Sequence, residues 1–216
     1  MSLHFAEEEF ESRENKVIKS MKEKNLDALL LFRQESMYWL TGYDTFGYVF
    51  FQCLVLTSAG DKILLTRAPD LRQAQNTSNI KDIRIWVDKD DNNPADDLKS
   101  ILVELSLENK NLGVEYETYG LTGKNAMRLN NSLYNFAKLQ DESFLITKHR
   151  LVKSDYEIKY IKKAAELADK ALEKAWESSH PGADESDILS AMQGAVFSGG
   201  GDYPGNEFII GSGPDA

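Results

Sequence analysis

The stretch HRLVKSDYEI, residues 149–158, opens the most strongly patterned helix of this chain. Ser154 and Glu157 fit a capping box, in which each side chain accepts a hydrogen bond from the backbone N–H of the other residue. Asp155 adds negative charge to the first turn, where the helix dipole favours it. Pro181-Gly182 ends the segment. Apolar residues recur at spacings of three and four, which place them on one helix face: Ile158, Ile161, Ala165, Ala168, Leu172 and Ala175.

Composition restricts the class of protein. The 216 residues are 42% hydrophobic and 28% charged, as in a soluble globular protein. No apolar run approaches the roughly 20 residues that span a bilayer, so no membrane partner is expected. A net charge of −10 argues against a nucleic-acid partner, which would require a basic face. The N-terminus has neither the basic nor the apolar region of a secretory signal.

Cys53 is the only cysteine, so an intrachain disulfide cannot form. A single free cysteine fits a reducing compartment and predicts a cytoplasmic protein. The residue lies in the apolar run 50–56, where a buried structural thiol is favoured over a nucleophile.

Residues 1–150 alternate between helical and strand patterns. The continuous apolar run at 28–32 is typical of a strand buried on both faces. Strands are predicted over 50–57 and 62–66, joined by a turn as in a hairpin. A hairpin combined with helical crossovers predicts an α/β domain with a mixed sheet flanked by helices. Further helices are predicted over 7–24, 36–41, 69–75, 94–107 and 122–134, and further strands over 83–87 and 112–115.

The C-terminal residues predict the beginning of a second domain. Asp184 can cap another helix, which the glycines at 199–201 interrupt. Residues 207–211 then have the pattern of a strand opening a new sheet. Because a single strand is not stable alone, its partners are expected beyond Ala216 or in another chain.

Motifs that would carry chemistry are weak in this sequence. His4, His149 and His180 have no histidine or cysteine partner at ligand spacing, so surface or capping roles are favoured. Residues 88–93 resemble a calcium loop but lack its glycine and its bidentate glutamate, which favours a solvated acidic loop. The glycines at 199–201 are not followed by Gly-Lys-Ser/Thr and indicate a hinge rather than a phosphate site.

Three segments, in order, carry a family resemblance. Residues 150–164 resemble the sequence that opens the catalytic domain of pita-bread metallopeptidases, a family that includes Xaa-Pro dipeptidases, aminopeptidase P and creatinase. The segment SMYWLTGY at 36–43 resembles the Tyr-Tyr-Leu-Thr-Gly-Phe segment of the family's N-terminal domain. Residues 201–213 resemble the strand that precedes the family's first active-site histidine.

This resemblance implies a fold, a domain organisation and an activity. Residues 1–150 would form a creatinase-like N-terminal domain, and residues 151–216 the first helices and strand of an incomplete α+β pita-bread domain. The activity implied is hydrolysis of Xaa-Pro bonds in small peptides by a homodimer. The family's two divalent metal ions, usually manganese or cobalt, generate a hydroxide at neutral pH. Their Asp, His and Glu ligands are expected beyond Ala216, so no catalytic or metal-binding residue is assigned and the chain alone is expected to be inactive.

The resemblance also implies a substrate-side role for the N-terminal domain, which in dimeric members reaches over the partner's active site. The segment placed to do so is 43–52, and within it Tyr48, Phe50 and Gln52 are the candidate substrate-binding residues. Core packing is the competing interpretation for Tyr48. Creatinase has an arginine in this region, whereas here no arginine or lysine lies between Arg33 and Lys62, so the counter-charge for a carboxylate must come from elsewhere.

Two other functions stay open at this point. One is a non-peptidase pita-bread enzyme, such as a creatinase-like hydrolase or a lyase of a small metabolite. The other is a non-catalytic binding or dimerisation module, against which the unpaired strand at 207–211 argues.

Overall fold

The computed structural model describes residues 3–215, which form two compact units, one up to Val152 and one from Lys153 onward. Within the described residues, no helix combines the length and the apolar character needed to cross a bilayer. The strands of the first unit are β1 (Ala28–Leu31), β2 (Cys53–Thr57), β3 (Lys62–Arg67), β4 (Asp82–Trp86), β5 (Asn111–Val114) and β6 (Lys138–Asp141). Its helices are α1 (Glu7–Glu23), α2 (Gln34–Thr41), α3 (Leu71–Thr77), α4 (Pro94–Glu104), α5 (Gly123–Ser132) and α6 (Leu145–Arg150).

The six strands form one mixed sheet in the order β4-β3-β2-β1-β5-β6. The predicted hairpin is confirmed, because β2 and β3 pair antiparallel. Strand β1 pairs antiparallel with β2 and parallel with β5, with Leu29 opposite both Leu56 and Gly113. The carboxyl ends of β1 and β5 therefore meet at the same edge of the sheet.

Both faces of the sheet are covered by helices, as the α/β prediction required. Alternate residues of β1 enter opposite cores, since Leu30 packs on one face and Leu29 on the other. Leu98 of α4 contributes to the first core, and Val17 of α1 to the second. The prediction of a strand buried on both faces is confirmed.

Cys53 lies at the start of β2 and is fully buried. Burial raises the pKa of its thiol well above the ordinary value. The prediction of a buried structural thiol is confirmed, because a protonated, inaccessible sulfur is a poor nucleophile.

Several element bounds in the first unit differ from expectation, among them the start of β2. Strand β2 begins at Cys53 rather than at Phe50, since its pairing with β3 starts opposite Leu65. Strand β6 and helix α6 were not predicted. The β6 sequence KLQD has one apolar residue, and the strand forms because Leu139 pairs alongside Leu112 of β5.

The second unit contains α7 (Asp155–Ser178) and α8 (Glu185–Ser198). The predicted capping box is confirmed: Glu157 N donates to Ser154 Oγ at 3.2 Å, and Ser154 N donates to Glu157 Oε2 at 2.8 Å. The buried residues of α7 are Leu167 and Ala171. The apolar stripe beginning at Ile158 is largely exposed in the described residues.

The strand predicted over 207–211 is wrong for this structure. Residues 201–212 form neither helix nor strand. Strand backbone needs a neighbouring strand to satisfy its N–H and C=O groups, and none pairs with this segment among residues 3–215.

Candidate functional site

The candidate site lies where the parallel strands β1 and β5 end. Arg33 follows β1 closely, and Glu115 follows β5 directly. Ligand sites of open α/β sheets form at the carboxyl ends of strands, because the connecting loops diverge there and leave a crevice.

Glu115 is a buried carboxylate that joins these two strand ends. Its Oε2 accepts from the backbone N–H of Phe32 at 3.1 Å and of Arg33 at 3.0 Å, and its Oε1 accepts from Ser36 Oγ at 2.6 Å. Burial raises the pKa of Glu115 to about 7, against the opposing effect of the Ser36 and backbone hydrogen bonds. The carboxylate thus holds the first turn of α2 to the end of β5.

A cleft of about 360 Å³ opens beside this junction. Its wall includes Tyr48 and Tyr119, whose rings pack edge to face with centroids 6.5 Å apart. Arg33, Glu35 and Glu117 also line it. The cleft therefore combines an aromatic wall with one cation and two carboxylates.

Arg33 is held in the cleft by neutral acceptors. Its Nη1 donates to Thr147 Oγ1 at 3.1 Å, and its Nη2 donates to the backbone carbonyl of Glu117. Among residues 3–215, no carboxylate forms an ion pair with this half-buried guanidinium. The positive charge is positioned but not neutralised by direct contact.

The loop 43–52 is held in place by hydrogen bonds to Gln52, whose side chain is 1% exposed. Gln52 Oε1 accepts from Tyr43 Oη at 2.7 Å, and its Nε2 donates to Thr45 Oγ1 at 3.3 Å and Asp70 Oδ2 at 3.4 Å. Gly47 N also donates to Thr45 Oγ1 at 2.9 Å. These hydrogen bonds fix the base of the loop that carries Tyr48.

Two glycines allow the cleft loops to approach closely. A Cβ on Gly47 would lie 2.2 Å from Gln52 Nε2 and 2.6 Å from Asp70 Oδ1. A Cβ on Gly120 would lie 2.9 Å from the carbonyl oxygen of Phe32 and 3.1 Å from that of Tyr48. Side chains at these positions would push the Tyr48 and Tyr119 loops apart.

The structure places the three predicted substrate residues differently. Tyr48 lines the cleft and is 39% exposed, while Gln52 is buried beneath the loop. Phe50 is partly exposed and its ring lies 3.4 Å from the guanidinium carbon of Arg67, which pairs with Asp70 at 3.0 Å. Only Tyr48 of the three lies in the cleft wall.

Both histidines of the first unit lie within hydrogen-bonding distance of a hydroxyl group. His4 Nδ1 lies 2.7 Å from Tyr38 Oη, and His149 Nε2 lies 3.0 Å from Ser20 Oγ. Burial, followed by nearby Lys16, lowers the pKa of His149. Across residues 3–215, no three His, Cys, Asp or Glu side chains come together as a metal site.

Sequence reasoning missed Arg33, Glu115 and Tyr119. A signal was available for two of them, because Arg33 and Glu115 are charged residues directly after apolar strand patterns. Tyr119 gave no such signal, since it follows no apolar strand pattern and lies in a loop that approaches Phe32 and Tyr48 closely at Gly120.

Sequence comparison identifies related proteins. The profile of the Creatinase/Prolidase N-terminal domain matches residues 13–152. The ectoine hydrolase of Halomonas elongata is 28% identical over an alignment covering 100% of this chain and 58% of that protein. The Xaa-Pro dipeptidase of Pyrococcus horikoshii is 26% identical, over 92% of this chain and 51% of its own length. The chain spans about half the length of these relatives.

Structure comparison supports the fold. The Xaa-Pro dipeptidase from Bacillus anthracis superposes with a TM-score of 0.70 at 21% identity, covering 88% of this chain and 49% of that one.

Proposed function

Because the chain belongs to the creatinase/prolidase N-terminal domain family, we propose that it is the substrate-side part of a metal-dependent Xaa-Pro dipeptidase or aminopeptidase. In this proposal residues 1–150 are the N-terminal domain, and residues 151–216 begin the pita-bread catalytic domain. The observation that carries it is the profile match over 13–152, and the similarity to an Xaa-Pro dipeptidase over 92% of the chain supports it.

The substrate-side role is assigned to the loop 43–52. Tyr48 contacts the substrate, Phe50 presents a partly exposed ring on the same loop, and the buried Gln52 holds the loop in place. Support comes from the exposure of the two rings and from the hydrogen bonds of Gln52. A homodimer would carry this loop to the partner's active site.

The chemistry proposed for the whole protein uses two divalent metal ions, manganese or cobalt, which supply a hydroxide at neutral pH. The residues described here do not fit such a centre, since no three potential ligands come together in residues 3–215. No step is therefore assigned to a metal held by this chain, and the ligands are proposed to lie C-terminal to Ala216. A cytoplasmic location is proposed from the single free cysteine.

The test uses the whole protein encoded by the reading frame that contains these residues. After chelation and dialysis, the protein should hydrolyse alanyl-proline only when manganese or cobalt is restored. A frame that stops at Ala216 would contradict the enzyme function and favour a non-catalytic binding or dimerisation module. Absence of turnover with metal bound would contradict the peptidase assignment.

A second candidate is a non-peptidase hydrolase of a small metabolite, and one observation favours it. The ectoine hydrolase relative aligns over the entire chain at 28% identity. Parallel assays with ectoine and with alanyl-proline, at matched metal loading, separate the two functions by which substrate is consumed.

A further inference from the structure

We propose that the cleft lined by Arg33, Glu35, Tyr48, Glu117 and Tyr119 binds a small zwitterion, with the ligand carboxylate on Arg33 and its ammonium group on the two glutamates. This rests on the proposed function for the identity of the ligand, a dipeptide, but not for the existence of the site. Arg33, which follows the end of β1, supplies the positive charge that the loop 43–52 lacks.

Arg33 is suited to a carboxylate because its guanidinium forms no ion pair within residues 3–215 and its position is fixed by hydrogen bonds. Two of its N–H groups are used by Thr147 Oγ1 and the Glu117 carbonyl, both neutral acceptors. A guanidinium has five N–H donors, so donors remain for a carboxylate. Since the side chain is already held, little conformational entropy is lost on binding.

The acidic residues provide the opposite charge within the same cleft. Glu35 and Glu117 line it, and neither forms an ion pair within residues 3–215. A ligand with only a carboxylate or only an ammonium group would leave either the two glutamates or Arg33 without a partner of opposite charge. Electrostatic complementarity therefore favours a ligand that carries both charges.

The aromatic residues provide a surface for the body of the ligand. Tyr48 and Tyr119 are 39% and 78% exposed, although their rings pack edge to face. The volume of about 360 Å³ falls within the range of small-molecule sites. A proline ring lying against the two tyrosines would bury apolar surface that is now exposed to water.

Direct binding to the 216-residue chain tests this site without any turnover. Alanyl-proline is titrated while amide and side-chain NMR signals are followed, with alanyl-prolinamide and N-acetyl-alanyl-proline as matched probes lacking one charge each. We expect shifts at Arg33, Tyr48 and Tyr119, and weaker binding of both modified probes. Arg33→Gln should weaken alanyl-proline binding about tenfold or more, as expected for loss of a charge-assisted hydrogen bond.

Two further variants separate binding from folding. Arg72→Gln removes the same charge from an exposed position in α3 and should leave the affinity unchanged. Tyr119→Ala alters a residue that is 78% exposed, so the fold should persist while binding weakens. Equal binding of alanyl-proline and its amide, unchanged affinity in Arg33→Gln, or no binding up to the solubility limit would overturn the proposal. Metal-dependent turnover by the whole protein would still uphold the proposed function in each case.

Discussion

Glu115 is the residue on which the geometry of the cleft depends most directly. It is fully buried, and its two oxygens receive three hydrogen bonds from the end of β1 and the start of α2. Its folded-state pKa of about 7 is well above the ordinary 4.5 of a glutamate. The folded protein therefore retains a proton that the unfolded chain releases between these two values.

This difference predicts a pH dependence of stability. Because unfolding releases a proton between about pH 4.5 and about pH 7, raising the pH through this window favours unfolding. The loss should be on the order of 3 kcal/mol and complete above the folded pKa. Glu115→Gln removes the titrating group. The free energy of unfolding of this variant, measured in urea relative to that of wild type, should therefore rise with pH across the window.

A second variant tests the cause of this effect. The Ser36 hydroxyl favours the charged form of Glu115, so Ser36→Ala should raise the pKa of Glu115 and extend the window to higher pH. If the free energies of unfolding of wild type and Glu115→Gln changed equally from pH 4.5 to 7, ionisation of Glu115 would not be the cause of the pH dependence.

Gly47 is the second critical residue, because its backbone lies against Gln52 and Asp70. Gly47→Ala places a methyl group 2.2 Å from Gln52 Nε2, and the base of the loop must shift. Overpacking of this kind costs about 1–3 kcal/mol. We expect a lower urea midpoint and displaced NMR signals for Tyr43, Thr45 and Tyr48.

Gly123→Ala is the matched control for this variant. Position 123 begins α5, and a Cβ there has no neighbour within 4 Å. Alanine should be neutral or slightly stabilising, since it lowers the entropy of the unfolded chain. Equal midpoints for the two alanine variants would show that the contacts of Gly47 do not constrain the loop.

At the scale of elements, α7 shows how far local sequence can specify structure. Its capping box satisfies two backbone donors, and Asp155 and Glu157 place negative charge in the first turn. Its apolar stripe, however, meets solvent at Ile158, which is 39% exposed, and at Ile161, which is 48% exposed. Local signals set where this helix begins, but they do not supply a partner for its apolar face.

The contribution of the cap can be measured at the helix terminus itself. Ser154→Ala removes the acceptor for Glu157 N and should cost about 1 kcal/mol of local helix stability. Amides in the first turn of α7 should then exchange with deuterium roughly fivefold faster. Ser190→Ala, at an exposed position inside α8, should leave that exchange unchanged. Unaltered exchange in Ser154→Ala would mean that packing rather than capping holds the first turn.

At the scale of the whole molecule, the two units differ in how much apolar surface they bury. Both hydrophobic cores consist of residues between Val17 and Ile146, all within the first unit. In the second unit, Leu167 and Ala171 are the buried hydrophobic residues among those described. Because burial of apolar side chains is the main stabilising contribution to folding, the first unit is expected to be stable on its own and the second is not.

This contrast predicts the outcome of separating the units. A chain ending at Val152 should unfold cooperatively in urea, with a midpoint close to that of the first unit in the whole chain. A chain beginning at Lys153 should show weak amide protection, because few apolar groups stabilise its helices. A strongly protected, cooperatively unfolding second fragment would contradict this assignment of stability.

Much of the architecture could be predicted because the signals are local. The buried strand β1 follows from the continuous apolar run beginning at Ala28, and α1 from apolar residues at helical spacing. Strand β6 could not be predicted, since its sequence KLQD forms a strand only beside β5. The strand predicted over 207–211 does not form for the opposite reason. These residues have a strand-like sequence, but no strand of the described chain pairs with them.

By itself, the sequence determined the element pattern, the capped start of α7 and the family resemblance, all of which depend on residues close together in the chain. Only the tertiary structure determined which residues form the cleft. Arg33, Tyr48 and Tyr119 come from three separate segments, and Glu115 joins two strand ends that are more than 80 residues apart. Such contacts arise only when the sheet brings the carboxyl ends of β1 and β5 together, and no local pattern encodes that approach.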